Sequence, residues 1–317
     1  MVIQNKKADD KTSISTISYG DFTWVDIVNP GASARKYLED NFKFNPLDLD
    51  DCFSPRQLSK IDEYQSYLFV IFHLPTYDKV THVSTIHQWS AFVSDKYLVT
   101  LRPETLESLD ELRREIESND DAKRNYLEQG AGYVLYGMLD RAIDAYFTTL
   151  DKIMTQINDL EDKVFDEEIE AAKAISSLRR DILTQRRVMF PERTLLMELE
   201  NKLKRFSKTN LAVLYGDLMD HMNKICETLD AGKEIIEVFK DADFVLSSYR
   251  ANRIIRYLAI LFSIALPFLV IAGLYSMRGI LPWSLGQGSY AEFIISGFII
   301  VSAILGALAL LRKMRLI

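Results

Sequence analysis

The sequence predicts an α+β membrane protein: an N-terminal α/β domain, a long helical stalk and two C-terminal transmembrane helices. Three observations carry this. Two uncharged apolar runs, 257–275 and 293–311, stand near the C-terminus, and at about 1.5 Å per residue each can cross the roughly 30 Å hydrocarbon core of a bilayer. Short stretches of alternating apolar and polar residues fill the N-terminal part, as strands require. Between these regions the apolar residues recur every three or four positions, as helices require.

The elements follow in order. From Ile14 to Ile27 the alternation broken at Tyr19-Gly20-Asp21 predicts a strand, a turn and a strand. After Asn29-Pro30-Gly31, helical spacing covers 33–42 with Ser33 as N-cap. Strands are predicted at 67–73, 86–93 and 97–101, so that the strand-bearing region ends near Pro103. One helix is expected over 104–119, and two long ones over 128–166 and 169–203, the second containing Pro191, which can kink it. Acids at Asp159, Glu161, Asp162, Glu167, Glu168 and Glu170 make an acidic tip, read as a solvated face or a loose divalent-cation site.

The last long helix carries Leu211, Leu214, Leu218, Met222, Ile225, Leu229, Ile236 and Phe239 as an apolar seam. Such a seam packs a helix along a partner of its own kind, and self-association is the expectation over packing on the chain's own two long helices. No Pro or Gly cluster separates the seam from the first apolar run, so one helix over 209–275 is expected, roughly 100 Å long. The domains are then 1–120, a cytosolic α/β domain; 121–256, a cytosolic helical stalk; 257–275, a first transmembrane helix; 276–292, an outer loop; 293–311, a second transmembrane helix; and 312–317, a basic cytosolic tail.

The flanks set the orientation. Arg250, Arg253 and Arg256 precede the first run and Arg312, Lys313 and Arg315 follow the second, which puts both termini in the cytoplasm and the loop outside. The alternative is a pair of helices buried in a large soluble core. A polar start, 1–11, with no apolar stretch soon after it predicts a body that stays in the cytosol. Ser302, Ala303, Gly306 and Ala307 in the second run suit close helix contact in lipid.

Composition bears on function. The net charge of -7 argues against nucleic-acid binding, and a mean hydropathy of -0.03 averages a polar acidic body with an apolar end. Two cysteines, Cys52 and Cys226, without CxxC spacing, fit a reducing compartment and give no disulfide or zinc framework. His73, His82, His87 and His221 show no paired ligand spacing, and no nucleophile set or phosphate-cradling loop is present, so no enzyme is expected. Two helices cannot enclose water, so transport through such a hairpin requires several copies around an axis.

Several segments together resemble the CorA family of divalent-cation channels. They are NPLDLDDCFSPRQLSKIDEYQSYLFVIFHLPTYD at 45–78, LRRDILTQRRVMFPERTLL at 178–196, GDLMDH at 216–221, SYRANRIIRYLAI at 248–260 and LPFLVIAGLYSMR at 266–278. The resemblance implies a homopentameric funnel in the inner membrane, with the stalk helix lining the pore and the second helices forming an outer ring. It implies a channel for divalent cations, Mg²⁺ foremost, with Mg²⁺ both regulatory and transported. The partners would be other copies of the chain, membrane lipid and divalent cations.

By the same resemblance, Asn252, Ile255, Leu258, Ser263, Leu266 and Leu269 face the axis, with Ile255, Leu258 and Leu266 as apolar constrictions that close by drying. The alternative is that these residues face lipid or neighbouring helices. Carboxylates of the N-terminal domain, Asp51 with Asp50, would meet Asp217 with Asp220 across a subunit boundary and hold regulatory metal; the alternative is ordinary surface acids. At the family's Gly-Met-Asn signature this chain has Ser276, Met277 and Arg278. Asparagine offers a carbonyl oxygen to a hydrated cation, whereas arginine has donors only and keeps its charge. A ring of Arg278 would repel divalent cations unless the side chains turn outward or pair with Glu292. Two further readings stay open: a divergent member passing another metal or an anion, and a non-conducting membrane sensor or scaffold.

Overall fold

The computed structural model describes residues 11–54, 57–77, 84–165, 171–276, 297–298, 301–302 and 305–306. The chain divides into two units, Met1–Lys240 and Asp241–Ile317. In the first, six strands form one sheet: β1 (Ser13–Tyr19), β2 (Phe22–Val28), β3 (Lys60–Glu63), β4 (Leu68–Tyr77), β5 (Ser84–Val93) and β6 (Tyr97–Arg102). Their order is β1-β2-β6-β5-β4-β3, antiparallel throughout except for the parallel β2 and β6 pair. Gly20, at φ +58, makes the turn between β1 and β2 that the Tyr19-Gly20-Asp21 break predicts.

The sheet is covered on both faces, which explains the unbroken apolar run Leu68-Phe69-Val70-Ile71-Phe72 in β4. Leu68, Val70 and Phe72, with Trp24, Trp89 and Leu98, point into a core shared with the long helices. Phe69 and Ile71, with Val25, Phe92 and Val99, point into a second core beneath α1 (Ala32–Asn41) and α2 (Pro46–Phe53). The side-chain period of two thus divides one strand between two cores.

Helix boundaries differ from expectation in three places. The N-cap of α1 is Gly31, without a side-chain cap bond, and not Ser33. The predicted helix over 104–119 is α3 (Glu107–Ser118), and an unexpected short helix, α4 (Asp120–Glu128), follows it directly. Asn119, in extended backbone conformation, ends α3, and its side chain caps α4 by accepting from the Asp121 and Ala122 amides at 2.9 and 3.3 Å. Finally, α2 and β3 were not expected at all.

Three long helices follow: α5 (Ala131–Phe165), α6 (Ala171–Leu203) and α7 (Ala212–Ser276). The seam of α7 corrects the expectation of self-association. Leu211, Leu218, Met222, Ile225 and Leu229 are buried inside their own chain, in one core with Leu139, Ile143, Tyr146, Met189 and Leu196 of α5 and α6. Ile236 and Phe239 are buried too. A three-to-four spacing records only that one face of a helix is covered, and here neighbouring helices of the same chain cover it.

Polar bolts cross these layers. Glu192 of α6 is buried; it accepts from the His73 amide of β4 at 2.6 Å and from the Ser59 hydroxyl at 2.5 Å. Burial pushes its carboxyl up to about 8. Asp181 of α6 receives the Ser84 amide and hydroxyl of β5 at 3.3 and 3.1 Å. Arg102 of β6 is buried against Asp26 of β2 at 2.8 Å and also pairs with Asp110 of α3.

Candidate functional site

The carboxylates singled out in the N-terminal domain sit on α2. Pro46 begins this helix where a missing amide costs nothing, and Asn45 caps it, accepting from the Leu47 amide at 3.0 Å. Asp48 turns inward and is buried, taking hydroxyl bonds from Tyr67 at 2.8 Å and Tyr64 at 3.1 Å. Burial raises its pKa against the pull of those two bonds. Anchored there, α2 leaves Asp50 exposed and Asp51 half-buried, and the Asp51 carbonyl accepts from the Gln88 side chain at 3.0 Å.

Both carboxylates already hold a cation of the chain. The Lys60 ammonium, at the start of β3, lies 2.6 Å from Asp51 Oδ2 and also pairs with Asp62. Burial alone would lower the Lys60 pKa, but the two carboxylates outweigh it and raise it. Asp50 Oδ1 takes Arg35 of α1 at 2.7 Å.

On α7, Asp217 and Asp220 are exposed and carry no ion pair with any described residue. Beside Asp217 the structure brings acids that the sequence reading missed. Asp140 and Asp144 lie one turn apart on α5, and His221 Nδ1 stands 3.8 Å from Asp144. Burial first, then the charges of Asp144 and Asp217, raise the Asp140 pKa. The four-residue spacings 140/144 and 217/221 were visible in the sequence. What was not visible is that the two helix faces meet.

Among the described residues no three His, Cys, Asp or Glu side chains converge into a metal site within one chain. The donor chemistry nonetheless fits a hard cation: Asp51 offers an oxygen to a positive charge at contact distance, and Asp217 offers an exposed carboxylate. A cation that takes six oxygens would need further ligands beyond these, from water or from a second chain.

In the second unit, α7 continues through the first apolar run. Its 18-residue apolar window has a mean hydropathy of 1.9 and no buried share, and this is the one helix among the described residues long and apolar enough to cross a membrane. Leu258, Leu261, Phe262, Leu266 and Leu269 are 47%, 61%, 63%, 59% and 70% exposed, too much apolar surface to leave in water. The candidate pore residues Asn252, Ile255, Leu258, Leu266 and Leu269 are exposed and Ser263 half-buried, its hydroxyl donating to the Ala259 carbonyl at 2.7 Å. At about 100° per residue they fall within one arc of about 140° on α7. Pro267 has no amide for the Ser263 carbonyl one turn earlier.

Ser276 is the last residue of α7 and is exposed. Met277, Arg278, the loop, nearly all of the second run, and Glu167, Glu168 and Glu170 of the acidic tip lie outside the described residues.

The class these features define is a membrane transporter for metal ions. The sequence model described as "CorA-like Mg2+ transporter protein" matches residues 19–313, and the chain belongs to that family. YfjQ of Bacillus subtilis, a candidate metal ion transporter, is 27% identical over 259 residues, covering 80% of this chain and 78% of its own. The cobalt/magnesium transport protein CorA of Thermotoga maritima is 26% identical over 258 residues, 81% of this chain and 73% of its own. In fold, the complete CorA magnesium transporter of Methanocaldococcus jannaschii matches with a TM-score of 0.77 at 19% identity, over 94% of this chain and 92% of its own.

Proposed function

We propose that this chain is the subunit of a homopentameric channel that passes divalent metal cations, Mg²⁺ foremost, across the inner membrane, with both termini in the cytoplasm. The observation that carries the reading is the unburied apolar window of α7, a helix whose preceding turns form the core of a folded domain. Copies of α7 around an axis would put the arc from Asn252 to Leu269 on the water path, with Ile255, Leu258 and Leu266 as rings that shed water when they close. Two transmembrane helices per chain, 257–275 and 293–311, complete this arrangement.

Gating is assigned to Asp51 of one subunit and Asp217 of its neighbour, with Asp50 and Asp220 in support. A divalent cation held by these carboxylates would supply the positive charge that offsets their mutual repulsion. Without that charge, carboxylates of two subunits repel and the ring loosens. The membrane mouth is formed by Ser276, Met277 and Arg278. Proteoliposomes carrying Asp51→Asn or Asp217→Asn should keep cation flux and lose its inhibition by Mg²⁺ on the cytosolic side; unchanged inhibition would remove these residues from gating.

A second reading follows from Arg278. Five fixed positive charges at one mouth favour a different cargo, either another metal, in keeping with the cobalt in the Thermotoga maritima relative's name, or an anion. A non-conducting sensor or scaffold would show no flux at all.

A further inference from the structure

We infer that Lys60 is a built-in competitor for the metal at Asp51: its ammonium holds the carboxylate when no divalent cation is present and sets the concentration at which one takes over. The inference rests on the reading of Asp51 as a metal ligand.

The Lys60 ammonium has three anchors. Its Nζ is 2.6 Å from Asp51 Oδ2, pairs with Asp62 Oδ2, and stands 5.4 Å from the centre of the Phe69 ring. The strand holds it there. Lys60 and Asp62 are two positions apart on β3 and so share a face, and Asp62 is paired in register with Phe69 of β4. The side chains of Lys60 and Asp51 are 33% and 20% exposed, so water screens this pair less than it screens Arg35 with Asp50, at 40% and 59%. Of the two acids on α2 assigned to gating, Asp51 therefore carries the more firmly held counter-charge.

Asp62 makes the exchange easy. A divalent cation that takes Asp51 need not drive the ammonium into bulk water, because Asp62 and the Phe69 face still hold it. Asp48 cannot serve as a substitute ligand, since it is buried and committed to Tyr64 and Tyr67. Lys60 thus lowers the affinity of Asp51 for metal without removing a ligand. Asp62, by sharing the ammonium, partly restores that affinity.

The test measures Mn²⁺ bound to the full chain in detergent, from the loss of the free-Mn²⁺ paramagnetic resonance signal, with Mg²⁺ as displacer. Lys60→Met keeps the aliphatic stem over Phe69 and should tighten binding roughly 1.5- to fivefold, the range for a partly exposed ion pair. Lys60→Arg should bind as the unaltered chain does. Asp62→Asn leaves the ammonium to Asp51 alone and should weaken binding. The gain from Lys60→Met should vanish in an Asp51→Asn background. Unchanged or weaker binding in Lys60→Met, with Asp51→Asn itself weakening binding, overturns the competition and leaves Asp51 a ligand. Should Lys60→Met fail to fold, Asp62→Asn decides, and unchanged or tighter binding overturns the inference. If Asp51→Asn binds metal as the unaltered chain does, the metal reading of Asp51 falls and the inference with it.

Discussion

The carboxyl of Glu192 on α6 accepts the backbone amide of His73 on β4 at 2.6 Å, joining residues 119 positions apart across the core. Glu192 is 4% exposed, and its pKa of about 8 follows from that burial, the bonds from Ser59 and His73 only tempering it. Because the folded state keeps its proton to higher pH than the unfolded state, this group's stabilising contribution is complete below about pH 4.5. It is lost as pH climbs to about 8. His73, whose pKa burial lowers, has the opposite slope below the usual histidine range. Glu192→Gln keeps an acceptor for both bonds and cannot ionise. Thermal unfolding should show its advantage over the unaltered chain growing between pH 6 and pH 9, by at least about 1 kcal/mol or about 2–4 °C in Tm. Parallel curves for the two proteins would show that Glu192 is already ionised in the folded state at pH 6.

The seam of α7 gives a second expectation. Leu218 is fully buried against its own chain, so Leu218→Ala should destabilise the folded chain by about 2–5 kcal/mol. Denaturant unfolding should find that loss independent of protein concentration. A loss that disappears on dilution would return the seam to a contact between copies.

Much of this fold was legible because its strands alternate. The β1–β2 hairpin, β4, β5, β6 and the three long helices fall near their expected places, since Gly20 marks a turn and uninterrupted apolar spacing marks long helices. Two elements were hidden for a physical reason. The strand β3 is four residues, Lys-Ile-Asp-Glu, at the edge of the sheet, and charged edge strands carry no apolar alternation. The eight-residue α2 is too short for periodicity and shows itself only through Asn45-Pro46. Asp51 sits on α2 and Lys60 on β3, so their pairing could not be read from spacing. The same limit hid Asp140 and Asp144 beside Asp217, a proximity that only the packing of α5 on α7 creates.

Arg278 gives a prediction about cargo. If Arg278 lines the proposed mouth, replacing its charge with an amide should raise the local concentration of divalent cations there, and Arg278→Asn should raise Mg²⁺ flux on the order of tenfold. Flux that is unchanged would mean that Arg278 points away from the path.

The apolar constriction is tested at Leu258, 47% exposed on the arc of α7 that carries Asn252 and Leu266. In the proposed channel, Leu258→Ser would keep water at the constriction assigned to Leu258, and should leave a leak that cytosolic Mg²⁺ no longer shuts. Single-channel recording or a fluorescent Mg²⁺ indicator inside vesicles would detect it. Tight closure in the variant would place Leu258 against lipid or a neighbouring helix.

Flux through the purified, reconstituted chain tests the central claim most directly, with Mg²⁺, Co²⁺, Zn²⁺ and chloride compared side by side at low and high metal on the cytosolic face. A divalent-cation flux, largest for Mg²⁺ and suppressed by cytosolic Mg²⁺, is the expected result. Chloride flux without cation flux, or no flux of any ion under either condition, would contradict it.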